Sequence, residues 1–197
     1  VIGFGAGEPD FPTPQHICDA AKEAIDLGMT RYTPAAGTKE LRKAICEKLR
    51  RDNDMTYTYG DILVSNGAKH SLFNIFQAIL DPGDEVLIPT PCWVSSPELV
   101  RMAGGVPVFI PATEETNFIP TNKDIASRVT RRTKAIVITS PSNPNGSVWE
   151  QEQLQFVADL AVSHPFFVVS DEIYEKLIYD GRKHLSIAQL GEQIKSQ

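Results

Sequence analysis

The chain has 197 residues, 42% hydrophobic and 22% charged, with a formal net charge of −6 from 25 acidic and 19 basic side chains. That balance suits a soluble globular domain with a substantial core, and an acidic excess argues against a protein that grips a phosphate backbone. No apolar run approaches the roughly 18 residues of a membrane span, and no secretory signal marks the start.

Three cysteines, Cys18, Cys46 and Cys92, are an odd number with long gaps and no C-x-x-C. They predict neither a disulfide framework nor a thiolate zinc site, and they point to a reducing, cytoplasm-like compartment. The histidines His16, His70, His164 and His184 lack H-x-x-x-H spacing, so no metal is expected. The chain opens on Val1-Ile2-Gly3-Phe4-Gly5 without an initiator Met and closes on a polar tail after Leu185-Ser186-Ile187-Ala188. This opening predicts that an upstream segment is missing.

Thr13 is placed to cap a first helix with Pro14 at its first position, Ile17, Ala20, Ala21, Ala24 and Ile25 on one face, and Gly28 as the stop. Residues 30–37 read as a loop. A second helix starts near Thr38, with Leu41, Ala44, Ile45, Lys48 and Leu49 three and four apart. From residue 61 short strands alternate with helices: strands at 62–64, 85–88, 106–110, 135–138 and 166–169, helices at 68–80, 93–103, 123–129 and 150–162. Residues 111–121 read as loop. The basic run Arg128, Arg131, Arg132 and Lys134 reads as a solvated turn. Several strands are continuous apolar runs, as in a parallel sheet buried on both faces. The expected fold class is therefore α/β, a three-layer, mostly parallel sheet with helices on both faces.

Ligands of such sheets bind beyond the carboxyl ends of the strands, and four strand ends carry informative residues. Ser65-Asn66-Gly67-Ala68-Lys69-His70 leads into a helix whose free N–H groups and dipole favour an anion, or is simply a compact turn. Trp93, just after the second strand, can lie flat on an aromatic ligand or anchor packing. The turn Ser140-Pro141-Ser142-Asn143-Pro144-Asn145-Gly146 offers the Asn143 amide to a ligand oxygen, although Asn-Pro turns are common. Asp171, following four apolar residues in Ser170-Asp171-Glu172-Ile173-Tyr174, is a partly buried charge that needs a partner, or a helix cap.

Together, in this order, the motifs resemble the large domain of class I/II aminotransferases, fold-type-I enzymes dependent on pyridoxal 5′-phosphate (PLP), and most closely the bacterial-type aspartate aminotransferase subgroup. The resemblance runs from Gly5-Ala6-Gly7-Glu8-Pro9-Asp10-Phe11 through Arg31-Tyr32-Thr33-Pro34-Ala35-Ala36-Gly37, Pro82-Gly83-Asp84 and Asn143-Pro144-Asn145-Gly146 to Ser170-Asp171-Glu172-Ile173-Tyr174-Glu175. It implies that Gly67, Ala68 and Lys69 form a phosphate cup, that Trp93 stacks on the pyridine ring, that Asn143 and Tyr174 hydrogen-bond its phenolic oxygen, and that Asp171 pairs with its nitrogen. It further implies that Gly7, Trp93, Asn143 and Lys69 meet the substrate, Lys69 at the distal carboxylate of an acidic one, although Lys69 reads equally well as a surface lysine at a helix start. Tyr32 resembles the tyrosine that reaches the partner subunit's cofactor, which implies a homodimer with shared sites.

On that resemblance residues 1–37 form a substrate- and dimer-contacting segment and residues 38–197 part of the PLP-binding domain. Cys92 stands where many relatives have Tyr, and Asn145 where Thr is usual. None of the ten lysines stands in the Ser-x-x-Lys context of the family's Schiff-base lysine: Lys176 and Lys183 follow too soon, and Lys195 lies in the tail. The expected function is transamination between an aspartate-like amino acid and a 2-oxo acid in a cytoplasmic parent enzyme. The chain itself is expected to be a truncated first half, lacking the catalytic lysine and the small domain. Two alternatives are a PLP-dependent carbon–sulfur lyase or cyclopropane-forming synthase, and a non-catalytic ligand-binding protein.

Overall fold

The structure is a computed structural model that describes residues 11–196. Two compact units are present, Val1–Ala35 and Ala36–Gln197. The first contains α1 (Gln15–Asp26), which buries no side chain. Its end follows the sequence: Gly28 adopts φ +72°, its N–H donates to the Ile25 carbonyl and that of Met29 to Ala24, a Schellman closure that satisfies the last carbonyls. Its start does not. Thr13 makes no cap; Pro14 is the residue half inside the helix, its carbonyl accepting from Ile17 and Cys18.

The second unit opens with α2 (Lys39–Asn53), capped by Thr38 Oγ1 accepting from Leu41 N–H at 3.3 Å. It continues through α3 (Ala68–Ile79), β1 (Glu85–Thr90), α4 (Ser95–Met102), β2 (Val106–Pro111), α5 (Asn122–Arg128), β3 (Thr133–Thr139), α6 (Gln151–Ser163), β4 (Phe167–Asp171) and α7 (Glu192–Lys195). The four strands form one parallel sheet in the order β2-β1-β3-β4.

Strand alternation divides the core into two layers. Val86, Ile88, Ala135 and Val137 face Leu72, Phe76 and Leu80 from α3 with its C-terminal cap, and Leu99 and Val100 of α4. Leu87, Ile136 and Ile138 face Ile125 of α5 and Leu154, Val157 and Ala161 of α6 on the opposite side. The expected three layers are thus present, and the reason lies in the strand order. The chain leaves β1 for β2 in one direction, then returns past β1 to β3 and on to β4. Right-handed crossovers in opposite directions place α4 on one face and α5 and α6 on the other.

Only β1 and β3 have the continuous burial expected of the strands; β2 and β4 lie at the edges and are partly exposed. The strand predicted at Ile62-Leu63-Val64 is absent among the described residues. The segment is extended at Ile62, but Val64 N–H donates to Ala36 O, no strand pairs with it, and Leu63 is 61% exposed. An extended apolar run becomes a strand only when a neighbour takes up its backbone groups.

Two further expectations change. Arg132 of the basic run is not merely solvated, since it pairs with Glu85, which is buried and also accepts from Thr130 Oγ1. The tail is packed: Ile194 of α7 is buried, and Lys195 donates to Thr56 O at 2.8 Å and lies over the Tyr57 ring.

Candidate functional site

Because all four strands are parallel, their carboxyl ends share one edge. The change of direction between β1 and β3 makes that edge the expected ligand crevice. β1 ends at Thr90, β3 at Thr139 and β4 at Asp171; Thr139 and Asp171 are in register, and Ser140 N–H donates to Asp171 O at 3.1 Å. The 91–94 turn, the 140–147 turn and the 171–174 turn therefore leave the sheet side by side.

Directly between β1 and β3 the space is small, a cavity of about 20 Å³ lined by Pro91, Cys92, Thr139, Ser142 and Ser147 among others. The larger space lies between α3 and β4, a cleft of about 400 Å³ lined by Ala68, Ser71, Leu72, Ile75, Ser170, Asp171, Glu172 and Ile173 among others. Ala68 and Asp171, predicted to serve opposite ends of one ligand, thus share a cleft. No lysine lines it among the described residues.

The start of α3 is built to receive an anion. Gly67 adopts φ +80°, and a Cβ there would meet nothing within 4 Å, so the approach is open. No side chain caps the helix, and the N–H groups of Ala68 and Lys69 have no acceptor among the described residues. The buried Ser65 Oγ is likewise without a partner there. Three polar groups left unsatisfied at one helix start fit a phosphate, whose oxygens accept what the protein does not.

Asp171 presents the complementary demand. Its carboxylate accepts one hydrogen bond, from Ile173 N–H at 3.2 Å, and it has no ion pair among the described residues. Burial raises its pKa, only partly opposed by that bond, and the Glu172 charge raises it further. A carboxylate so placed is relieved by a cation in the cleft, and a protonated pyridine nitrogen is such a cation.

The other predicted residues are distributed less evenly. Trp93 is half-buried two residues before α4 and does not begin it; the Lys69 ammonium lies 5.2 Å from its ring centroid, a cation–π contact. Asn143 is half-buried in its turn and lines neither of these cavities; Tyr174 is half-buried on the turn after β4 and does not line the cleft. Tyr32 belongs to the first unit and is fully exposed. Gly7 lies outside the described residues. Beside Trp93, burial pushes the Cys92 thiol up, which keeps it protonated and unreactive.

Comparison with known proteins identifies the family. The aminotransferase class I and II family model matches residues 1–195. The chain belongs to that family. It is 52% identical over 197 residues to an aspartate aminotransferase of Bacillus sp. (strain YM-2) and 51% identical to that of Bacillus subtilis, covering 100% of this chain and 50% of each relative. The solved aspartate aminotransferase of Thermus thermophilus with maleate superposes with a TM-score of 0.91 at 50% identity, over 94% of this chain and 48% of that one. The chain therefore spans about half the length of the curated relatives it matches.

The two departures from the family pattern sit beside the edge. Asn145 keeps its turn closed by accepting from Ser147 N–H at 2.8 Å, while its Nδ2 is buried without a partner among the described residues. Sequence reading missed the groups that hold the 171–176 turn. Glu172 accepts from Ser170, His184 and Ser186. Glu175 pairs with Lys48 and accepts from Asn53 at 3.0 Å, and Lys176 reaches Asp52 at 3.1 Å.

Glu172, Glu175 and His184 bring ligand-type atoms within 4.8 Å of one another. Both carboxylates are already engaged by protein donors, which makes the cluster a hydrogen-bond network instead of a metal seat. The signal available in sequence was the parity of Ser170 and Glu172, and of His184 and Ser186: residues two apart in extended chain share a side.

Proposed function

We propose that this chain is the cofactor-gripping half of a PLP-dependent aminotransferase that moves an amino group between an aspartate-like amino acid and a 2-oxo acid. The observation that carries the reading is the half-buried Asp171, without a cation among the described residues, sharing a cleft with the uncapped start of α3. When bound, PLP supplies an electron sink for charge developing at the substrate Cα.

The chain's own residues make that chemistry usable. Asp171 holds a proton at the ring nitrogen, because separating that pair would leave a carboxylate partly out of water without compensation. Ala68 and Lys69 donate backbone N–H groups to the phosphate, and Gly67 leaves the approach open. Trp93 offers a flat face to the ring, and Asn143 and Tyr174 orient it through its phenolic oxygen. Lys69, with Gly7, meets the substrate; a cation at the mouth of the site suits a second carboxylate. Maleate, present in the Thermus structure, is a dicarboxylate of that kind.

Tyr32 serves the site of a second subunit, which makes the parent a homodimer. The three free cysteines support a reducing, cytoplasmic setting. No described helix is long and apolar enough to cross a membrane. None of the ten lysines matches the family's covalent lysine, so the reading assigns grip to this chain and turnover to the parent enzyme.

The full-length protein with PLP, aspartate and 2-oxoglutarate is expected to form glutamate. Asp171→Ala should lower kcat by about 10²–10³-fold, the scale of removing one electrostatic partner, with the fold retained. Absence of transamination with every amino donor overturns the reading, and product from cystathionine or S-adenosylmethionine instead identifies a lyase or synthase.

A further inference from the structure

Asp171 and Tyr174 sit on a short turn with no regular structure of its own. β4 ends at Asp171, and the backbone closes through Glu175 N–H to Glu172 O at 3.0 Å and Leu177 N–H to Tyr174 O at 2.8 Å. The Asp171 carboxylate is held directly only by Ile173 N–H at 3.2 Å, a residue of the same turn, so its direction follows how that turn is anchored. The turn has a side-chain anchor. Glu172 Oε1 accepts from Ser170 Oγ and Ser186 Oγ, each at 2.7 Å, and Oε2 accepts from His184 Nε2 at 2.8 Å.

The donors come from both sides in sequence, one from β4 and two from a segment 12 and 14 residues further on. Ser170 is exposed, but the rest of the cluster is shielded: the Glu172 and His184 side chains are 20% and 9% exposed, and Ser186 is 2% exposed. Burial pulls the Glu172 pKa up, but the bonds from His184, Ser170 and Ser186 outweigh it and hold the group below the usual range. At neutral pH the anchor is an ion with three donors, the arrangement in which a hydrogen bond resists distortion most. Glu175 on Lys48 and Asn53 secures the far end of the same turn.

We propose that Glu172 is a positioning residue, which through Ser170, His184 and Ser186 sets the direction from which the adjacent Asp171 meets a cationic ring in the 400 Å³ cleft. This rests on the assignment of Asp171 to the PLP ring nitrogen. Glu172 lines the same cleft, but both of its carboxylate oxygens are engaged by Ser170, His184 and Ser186. Its effect passes through one peptide unit.

The test uses the full-length protein, freed of PLP and titrated with it by fluorescence. Apoprotein Tm and the pH midpoint of the bound cofactor's absorption change are read in parallel. Glu172→Gln should weaken PLP binding about tenfold, the scale of one charge-assisted hydrogen bond, and displace the pH midpoint. His184→Ala and Ser186→Ala, which each remove one bond, should give smaller losses in the same direction and keep the test open if Glu172→Gln fails to fold. Variants that lower apoprotein Tm but keep the PLP Kd within about twofold and the midpoint unmoved would reduce Glu172 to a structural role. Asp171→Asn is the control. If it shifts Kd and midpoint while the Glu172, His184 and Ser186 variants do not, positioning alone falls; if it shifts neither, the cofactor assignment falls as well.

Discussion

Asp171 and Glu172 are adjacent carboxylates pushed in opposite directions, and the contrast is measurable without any ligand. Burial raises the Asp171 pKa, so its contribution to folding is present below the unfolded value of about 3.9 and is lost as pH rises through the raised folded value. Asp171→Asn should therefore raise the Tm of the apoprotein at pH 7, with the difference from wild type vanishing in acid. For Glu172 burial is outweighed by three donors, so its contribution is present above an unfolded value of about 4.3 and is lost as pH falls through the lowered folded value. Glu172→Gln should lower Tm at pH 7 and converge with wild type in acid. Thermal melts across pH decide both; parallel curves for either variant contradict the corresponding sign. A half-buried carboxylate that costs stability beside one that restores it fits the trade-off between stability and the cofactor role proposed for Asp171.

At the scale of elements, the connection from α4 to β2 shows how tightly the first crossover is packed. Gly105 precedes β2, and a Cβ on it would lie 2.9 Å from Leu80 Cδ1, 3.0 Å from Val100 Cγ1 and 3.3 Å from Asp84 O. Leu80 ends α3, Val100 belongs to α4 and Asp84 precedes β1, so one methyl group would press on three elements at once. Gly105→Ala should destabilise by about 1–3 kcal/mol, the range for overpacking a close-packed interior. Urea denaturation of the variant checks this, and an unchanged midpoint would show that the three neighbours can yield. The strand-end turns depend on this packing, because α3 supplies both the core residues Leu72 and Phe76 and the uncapped N–H groups at its start.

Taken whole, the second unit is a doubly wound sheet in which β1 and β3 are covered on both faces and β2 forms an edge. Amide hydrogen exchange should find the slowest amides in β1 and β3, faster ones in β2, and among the fastest those of α1, which buries no side chain. Protection of β2 equal to that of β1 would contradict this order. The same winding explains why the site lies where it does. The chain reverses direction beside β1, which puts the expected crevice at the carboxyl edge, where the turn after β3 starts at Ser140 next to Asp171.

Much of this was written locally. Helix spacing, the Gly28 stop, the Thr38 cap, the apolar runs of β1 and β3 and the chemistry of Gly67, Trp93, Asn143 and Asp171 are properties of short windows, because backbone periodicity and side-chain chemistry act over a few residues. Tertiary structure alone decided what depends on distant partners. Residues 62–64 look like a strand but have no strand to pair with among the described residues, and Arg132 looks solvated but meets Glu85. Lys69 sits over Trp93, and Glu172 gathers Ser186 and His184 from a later segment. In each case the deciding force is a hydrogen bond, ion pair or ring contact between groups far apart in sequence. The partner in such a contact becomes known only once the sheet has brought the segments together.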